Sequence, residues 1–124
     1  MTQEGKKAIT WIEELLSTEK KQGRGKLGDE EVGFCCLGLG CNVLGIEHDT
    51  WAGQNKEFME EVGLYGDQGQ SRGSIYFPSH PSLITLNDNN KKSFKFIGEH
   101  LIKHPRAYFI DSVANEVNEY FSKK

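Results

Sequence analysis

All three cysteines of this chain fall between residues 35 and 41, in the run Val32-Gly33-Phe34-Cys35-Cys36-Leu37-Gly38-Leu39-Gly40-Cys41. An apolar stretch that turns into a helix there would place Cys35 and Cys36 at the helix start. The unpaired N–H groups and positive dipole end at that position favour thiolate, the nucleophilic form. Thiol chemistry would also need a base, with His48, His80, His100 and His104 on offer, and an orienting group such as Asn87 or Asp88. No spacing selects among them. The competing reading treats the three sulfurs as small buried hydrophobes among Val32, Phe34, Leu37 and Leu39. The sequence favours packing and assigns no catalytic residue, leaving Cys35, Cys36 and His80 as the set for a thiol-dependent hydrolase or transferase. No metal site is expected from Cys36, Cys41 and His48, because the two thiols, five apart on a helix, point in directions roughly 140° apart and a fourth ligand is unassigned.

A second group of residues could hold an anion. Lys20, Lys21, Arg24 and Lys26 crowd one glycine-rich loop, whose amides and cations suit a phosphate. The run Gly23-Arg24-Gly25-Lys26-Leu27-Gly28 spells G-x-G-x-x-G, but a helix precedes it and an acidic turn follows, the reverse of what a dinucleotide fingerprint needs. Trp51, Tyr65, Tyr76 and Phe77 lie in or beside loops where a ring can stack on a base. Arg72, in the loop Gly66 to Gly73, could close over an anion. Asn87 and Asp88 could read polar edges, although such residues also form turns. The expected ligand set is therefore Arg24, Lys26, Trp51, Arg72, Tyr76, Asn87 and Asp88.

The elements that must position these groups follow from periodicity. Ala8, Trp11, Ile12, Leu15 and Leu16 recur at helical spacing and predict a helix over Gln3 to Ser17. Short strands are expected near Lys26-Leu27 and Glu31 to Phe34, about a turn at Gly28 to Glu31. A helix from Cys36 to Leu44 should end at Gly45, with Gly38 and Gly40 marking close approach of another backbone. Further helices are predicted over Asn55 to Val62, from a Ser93 cap to Pro105, and over Phe109 to Phe121, with strand-like residues at Gly63 to Tyr65 and Ser74 to Phe77.

The 124 residues, 36% hydrophobic and 27% charged, predict one α+β domain with about four helices around a small antiparallel sheet. Residues 105–124 read as a helical extension able to mediate oligomerisation. No apolar run is long enough to span a bilayer, and Met1 to Lys7 lacks a secretion signal, so a cytoplasmic location and no membrane partner are expected. An odd count of cysteines, two adjacent, argues for reduced thiols. The net charge of −3 gives no global attraction to nucleic acid.

Taken together, the QGRG loop at Gln22 to Gly25, the CCLG segment at Cys35 to Gly38, and LND at Leu86 to Asp88 followed by SFxxI at Ser93 to Ile97 resemble a family of small bacteriophage and prophage proteins. The resemblance runs from about Ile9 to Leu101. It implies a phage accessory role inside the bacterial host. By analogy with phage counter-defence factors, the expected function is sequestration of a small nucleotide-like anion by a homo-oligomer without cofactor. The alternatives are the thiol-dependent enzyme and an inhibitor that binds a host protein.

Overall fold

The computed structural model describes residues 1–72 and 80–123. Helix α1 (Gln3–Ser17) starts where the Thr2 hydroxyl accepts the Gly5 N–H at 3.0 Å, and buries Gly5, Ala8, Ile9, Trp11, Ile12 and Leu15 on one stripe. Four other helices pack against it: α2 (Cys36–Leu44), α3 (Lys56–Val62), α5 (Phe94–Lys103) and α7 (Asp111–Ser122). The short helices α4 (Leu83–Asp88) and α6 (Pro105–Tyr108) lie on either side of α5 in the chain. Trp11 sits at the centre, fully buried, edge-on to Phe58 at 4.9 Å and to Phe109 at 6.3 Å between ring centroids.

The sheet is small: β1 (Gly28–Asp29) runs antiparallel to β2 (Gly33–Phe34), with Gly28 opposite Phe34. The fold is α+β, but the seven helices among the described residues outnumber the four expected, and they gather round α1, not round the sheet. The first strand sits two residues later than expected, while the second falls within Glu31 to Phe34. The Asp29 carboxylate accepts the N–H groups of Glu31 and Val32 at 2.9 and 3.0 Å, so Asp29 organises the turn from within the strand. On the other side of β2, Gly23 N–H donates to Phe34 O at 2.7 Å and Phe34 N–H to Lys21 O at 2.9 Å. These bonds fix the basic loop against the hairpin.

Helix α2 runs over the predicted residues and ends at Gly45, whose φ of 70° is left-handed. A methyl group on Gly38 would overlap the Leu27 carbonyl, which is the close backbone approach its position implies. Gly40 instead makes room for the rings of Phe58 and Trp11.

Helix α7 begins at Asp111 and not at Phe109, because Phe109 is extended, fully buried and paired with Leu64 in an isolated bridge. Its stripe of Val113, Ala114 and Val117 is buried within the chain. Thr2 N–H and hydroxyl both donate to the Glu116 carboxylate, at 2.8 and 2.7 Å, and the Tyr120 hydroxyl donates to Glu13 at 2.9 Å. Helix α7 thus packs on α1 of the same molecule through part of its predicted stripe, while Ile110 is exposed and Tyr120 and Phe121 are only partly buried. Of the other expected strands, Leu64 survives as that bridge, while Ser74 to Phe77 lies outside the described residues. No helix among the described residues is long and apolar enough to cross a membrane.

Candidate ligand-binding site

Two loops meet at the outer edge of the hairpin. Leu27 N–H donates to Ala52 O at 2.7 Å and Gly28 N–H to Thr50 O at 2.8 Å, tying residues 50–52 to the end of the basic loop. Asp49 shapes the turn, accepting the Trp51 N–H on its side chain at 2.9 Å and the Ala52 N–H on its carbonyl at 3.1 Å. Trp51 is left 70% exposed at the tip. The Lys26 ammonium stands 5.2 Å from the centroid of its ring, within cation–π range. Arg24, two residues before Lys26, is exposed and borders Gly25, whose φ of 82° turns the loop. Of the four loop cations, Lys20 pairs with Glu30 at 2.5 Å and Lys21 donates to the Glu31 carbonyl at 3.5 Å. Among the described residues, Arg24 and Lys26 have no carboxylate partner. His48 supports the loop from behind, with Nε2 2.9 Å from Gly28 O.

The thiols are interior groups. Cys35, Cys36 and Cys41 are buried and free of disulfide bonds. Burial pushes Cys35 up to about 11 and Cys41 to about 12, and raises Cys36 well above the ordinary thiol range. Cys35 Sγ does cap α2, accepting the Gly38 N–H at 3.4 Å. That bond opposes the shift, but the loss of hydration outweighs it. Cys36 Sγ donates to Leu83 O at 3.6 Å, and the Cys36 carbonyl accepts the Trp11 indole N–H at 2.9 Å.

Asn87 is fully buried and joins its own helix to two other segments. Its Oδ1 accepts from Gln22 Nε2 at 2.7 Å and from the Cys36 N–H at 3.1 Å. Its Nδ2 donates to Gly23 O at 2.9 Å and to Asp88 Oδ1 at 2.7 Å. Gln22 Nε2 also donates to Lys92 O at 2.8 Å. The QGRG, CCLG and LND segments therefore converge on Asn87, and Gln22 extends the network to Lys92, just before Ser93. Asn87 and half-buried Asp88 are committed to this network, a positioning role that their sequence context did not reveal.

Arg72 is engaged by partners of its own. Its guanidinium pairs with Asp111 at 2.6 Å, reaches Phe109 O at 3.4 Å, and stacks 4.4 Å from the Tyr65 ring centroid. The ion pair holds the Asp111 carboxyl below its usual range and anchors the start of α7. Tyr76 lies outside the described residues. Of the expected ligand set, the structure brings Lys26 and Trp51 into contact, with Arg24 on the same loop.

Sequence reasoning passed over one grouping. His80, His100 and His104 come together beside Tyr108, with ring centroids 4.3 to 5.3 Å apart. Burial and the two neighbouring imidazoles bring His100 down to about 4, and burial likewise lowers His104. The four-residue spacing of His100 and His104 was the available signal, but His80 arrives from a distant segment.

A family model described as a domain of unknown function, DUF8296, matches residues 1–76. No curated protein and no solved structure matches the chain.

Proposed function

Starting from the chain's membership of the DUF8296 family, to which it belongs through residues 1–76, we propose that it is a phage or prophage accessory protein that binds and sequesters a small nucleotide-like anion. One observation carries this reading: the Lys26 ammonium lies over the face of an indole that is 70% exposed. A large apolar ring left in water beside cations without carboxylate partners suits a ligand that is flat at one end and anionic at the other. Trp51 stacks on the base, and Lys26 and Arg24 neutralise the phosphate. Asn87 acts at one remove, holding Gln22 and Gly23 so that the loop presents Arg24. Capture without turnover accords with thiols that burial keeps protonated at neutral pH. The phage assignment rests on the order of the motifs that Asn87 joins.

The test uses untagged protein and a panel of nucleoside mono-, di- and triphosphates and cyclic dinucleotides. Saturable quenching of Trp51 emission and release of the unaltered nucleotide on heating are expected, with loss of both in Trp51→Ala. Lys26→Ala should weaken binding about tenfold, the scale of one charge-assisted contact. Absence of saturable quenching up to about 1 mM, a very weak affinity, overturns the binding assignment. Release of a cleaved nucleotide overturns capture without turnover and returns weight to an enzyme. Retention of a host polypeptide alone replaces this reading with the protein-inhibitor alternative.

A further inference from the structure

We propose that His80, His100 and His104 form a three-imidazole site for a divalent transition ion of the zinc class. One ring nitrogen from each lies within 4.8 Å of the other two, and all three side chains are half-buried. The site is built from two directions. His100 and His104 are four residues apart at the end of α5, so they project from the same side of the helix. His104 ends that helix, with φ −130° and ψ 54°, ahead of Pro105, the first residue of α6. His80 is brought in by the segment before α4, where Ser71 Oγ donates to His80 O at 2.8 Å and the Tyr108 hydroxyl donates to Pro81 O at 2.7 Å.

Tyr108 also sets the His100 tautomer. A phenol has one proton, and here it goes to Pro81 O. The 2.9 Å contact between Tyr108 Oη and His100 Nε2 must then be an Nε2–H donating to the phenol oxygen. That leaves the lone pair of His100 on Nδ1. Such an outer partner is the usual device for orienting a metal-binding imidazole. Tetrahedral zinc, with bonds of about 2.0–2.1 Å, needs its nitrogens roughly 3.3 Å apart. Side-chain rotation can close the cluster from its present spacing.

The donor set also argues for the type of ion. Neutral nitrogen donors suit zinc, copper, nickel and iron, whereas calcium and magnesium require oxygens. Beside His100 and His104 lies a cavity of about 170 Å³, also bordered by Phe96, Glu99 and Lys103. Three protein nitrogens leave a fourth position, which a water or a small anion would take from that cavity. These residues are distinct from Lys26 and Trp51, so the inference stands apart from the nucleotide reading.

Calorimetric titration of untagged, chelator-treated full chain with zinc chloride provides the test, followed by histidine-side-chain nitrogen NMR of the wild-type protein. The expected result is one ion per chain, with the His80, His100 and His104 resonances shifting and those of His48 remaining still. His100→Gln/His104→Gln should weaken zinc at least tenfold while keeping the wild-type circular dichroism. No zinc uptake by the folded wild-type chain overturns the proposal. So does uptake that leaves the three resonances unmoved, or that is equally tight in a folded double variant. The wild-type NMR measurement decides the matter should that variant not fold.

Discussion

The side-chain oxygen of Asn87 accepts the backbone N–H of Cys36 at 3.1 Å, across 51 residues of sequence. The same oxygen accepts from Gln22, so one buried amide holds the start of α2, the basic loop and α4 in register. Replacing it with leucine would leave the Cys36 donor and the Gly23 carbonyl without their partner in the interior, and Gln22 with Lys92 O alone. Asn87→Leu is expected to cost about 3 kcal/mol, since each stranded buried group forfeits its hydration. A lowered midpoint with unchanged slope in urea unfolding is the expected measurement.

Gly38→Ala tests the contact between α2 and the basic loop. A methyl group there meets the Leu27 carbonyl, which is backbone and cannot swing aside as a side chain would. A loss of about 2 kcal/mol is expected, typical of overpacking, and it should exceed the helix-propensity gain of alanine over glycine. Thermal melts of the variant and wild type provide the check.

Thiol titration makes stability depend on alkaline pH. The unfolded chain gives up its thiol protons near pH 8.5, whereas Cys35 in the folded chain retains its proton up to about 11. Between those values the native state binds more protons, so stability is full below about pH 8.5 and falls as pH rises, by about 1.4 kcal/mol per pH unit for each fully shifted thiol. Iodoacetamide at pH 8 should label the three cysteines only as fast as the protein opens. Rapid labelling of Cys35 or Cys36 in native protein would contradict their interior placement.

Trp51→Ala separates binding from stability. The side chain is exposed, so its loss should move the unfolding free energy by no more than about 0.5 kcal/mol. Trp11 remains as a buried emitter, shielded from acrylamide until the chain unfolds.

Truncation after residue 76 should abolish cooperative unfolding, although the family model matches residues 1–76. Ile97, Leu101, Tyr108, Phe109, Val113 and Val117 belong to the same buried cluster as Trp11. Without them the apolar stripe of α1 would lose the cover of α5 and α7. Calorimetry of the truncated chain should show no sharp transition.

How much of this could be read from sequence depended on the range of the interactions. Helices α1 and α2 were legible because their stripes and caps, Gly45 above all, are local signals. Helix α4 was not, since its six residues span under two turns and show no period. Its Ser82 cap, accepting the Thr85 N–H at 3.1 Å, was its one local mark. Helix α6 was hidden by Pro105, which was read as the end of one helix and is also the first residue of the next. Loop composition placed Lys26 and Trp51 among the ligand candidates. Their contact depends on the Leu27 and Gly28 bonds to the 50–52 turn, which no local pattern encodes. Asn87 and the histidine grouping eluded the sequence for the same reason: their partners are far along the chain.

The bonds that join Thr2 to Glu116 and Glu13 to Tyr120 span 114 and 107 residues. On a ribosome adding roughly 5–20 residues per second, the first helix emerges about 5–20 seconds before the last one can meet it. For that interval its greasy side has only the part of its final cover that α2 and α3 provide, and the nascent polypeptide completes the burial when synthesis delivers the closing segment.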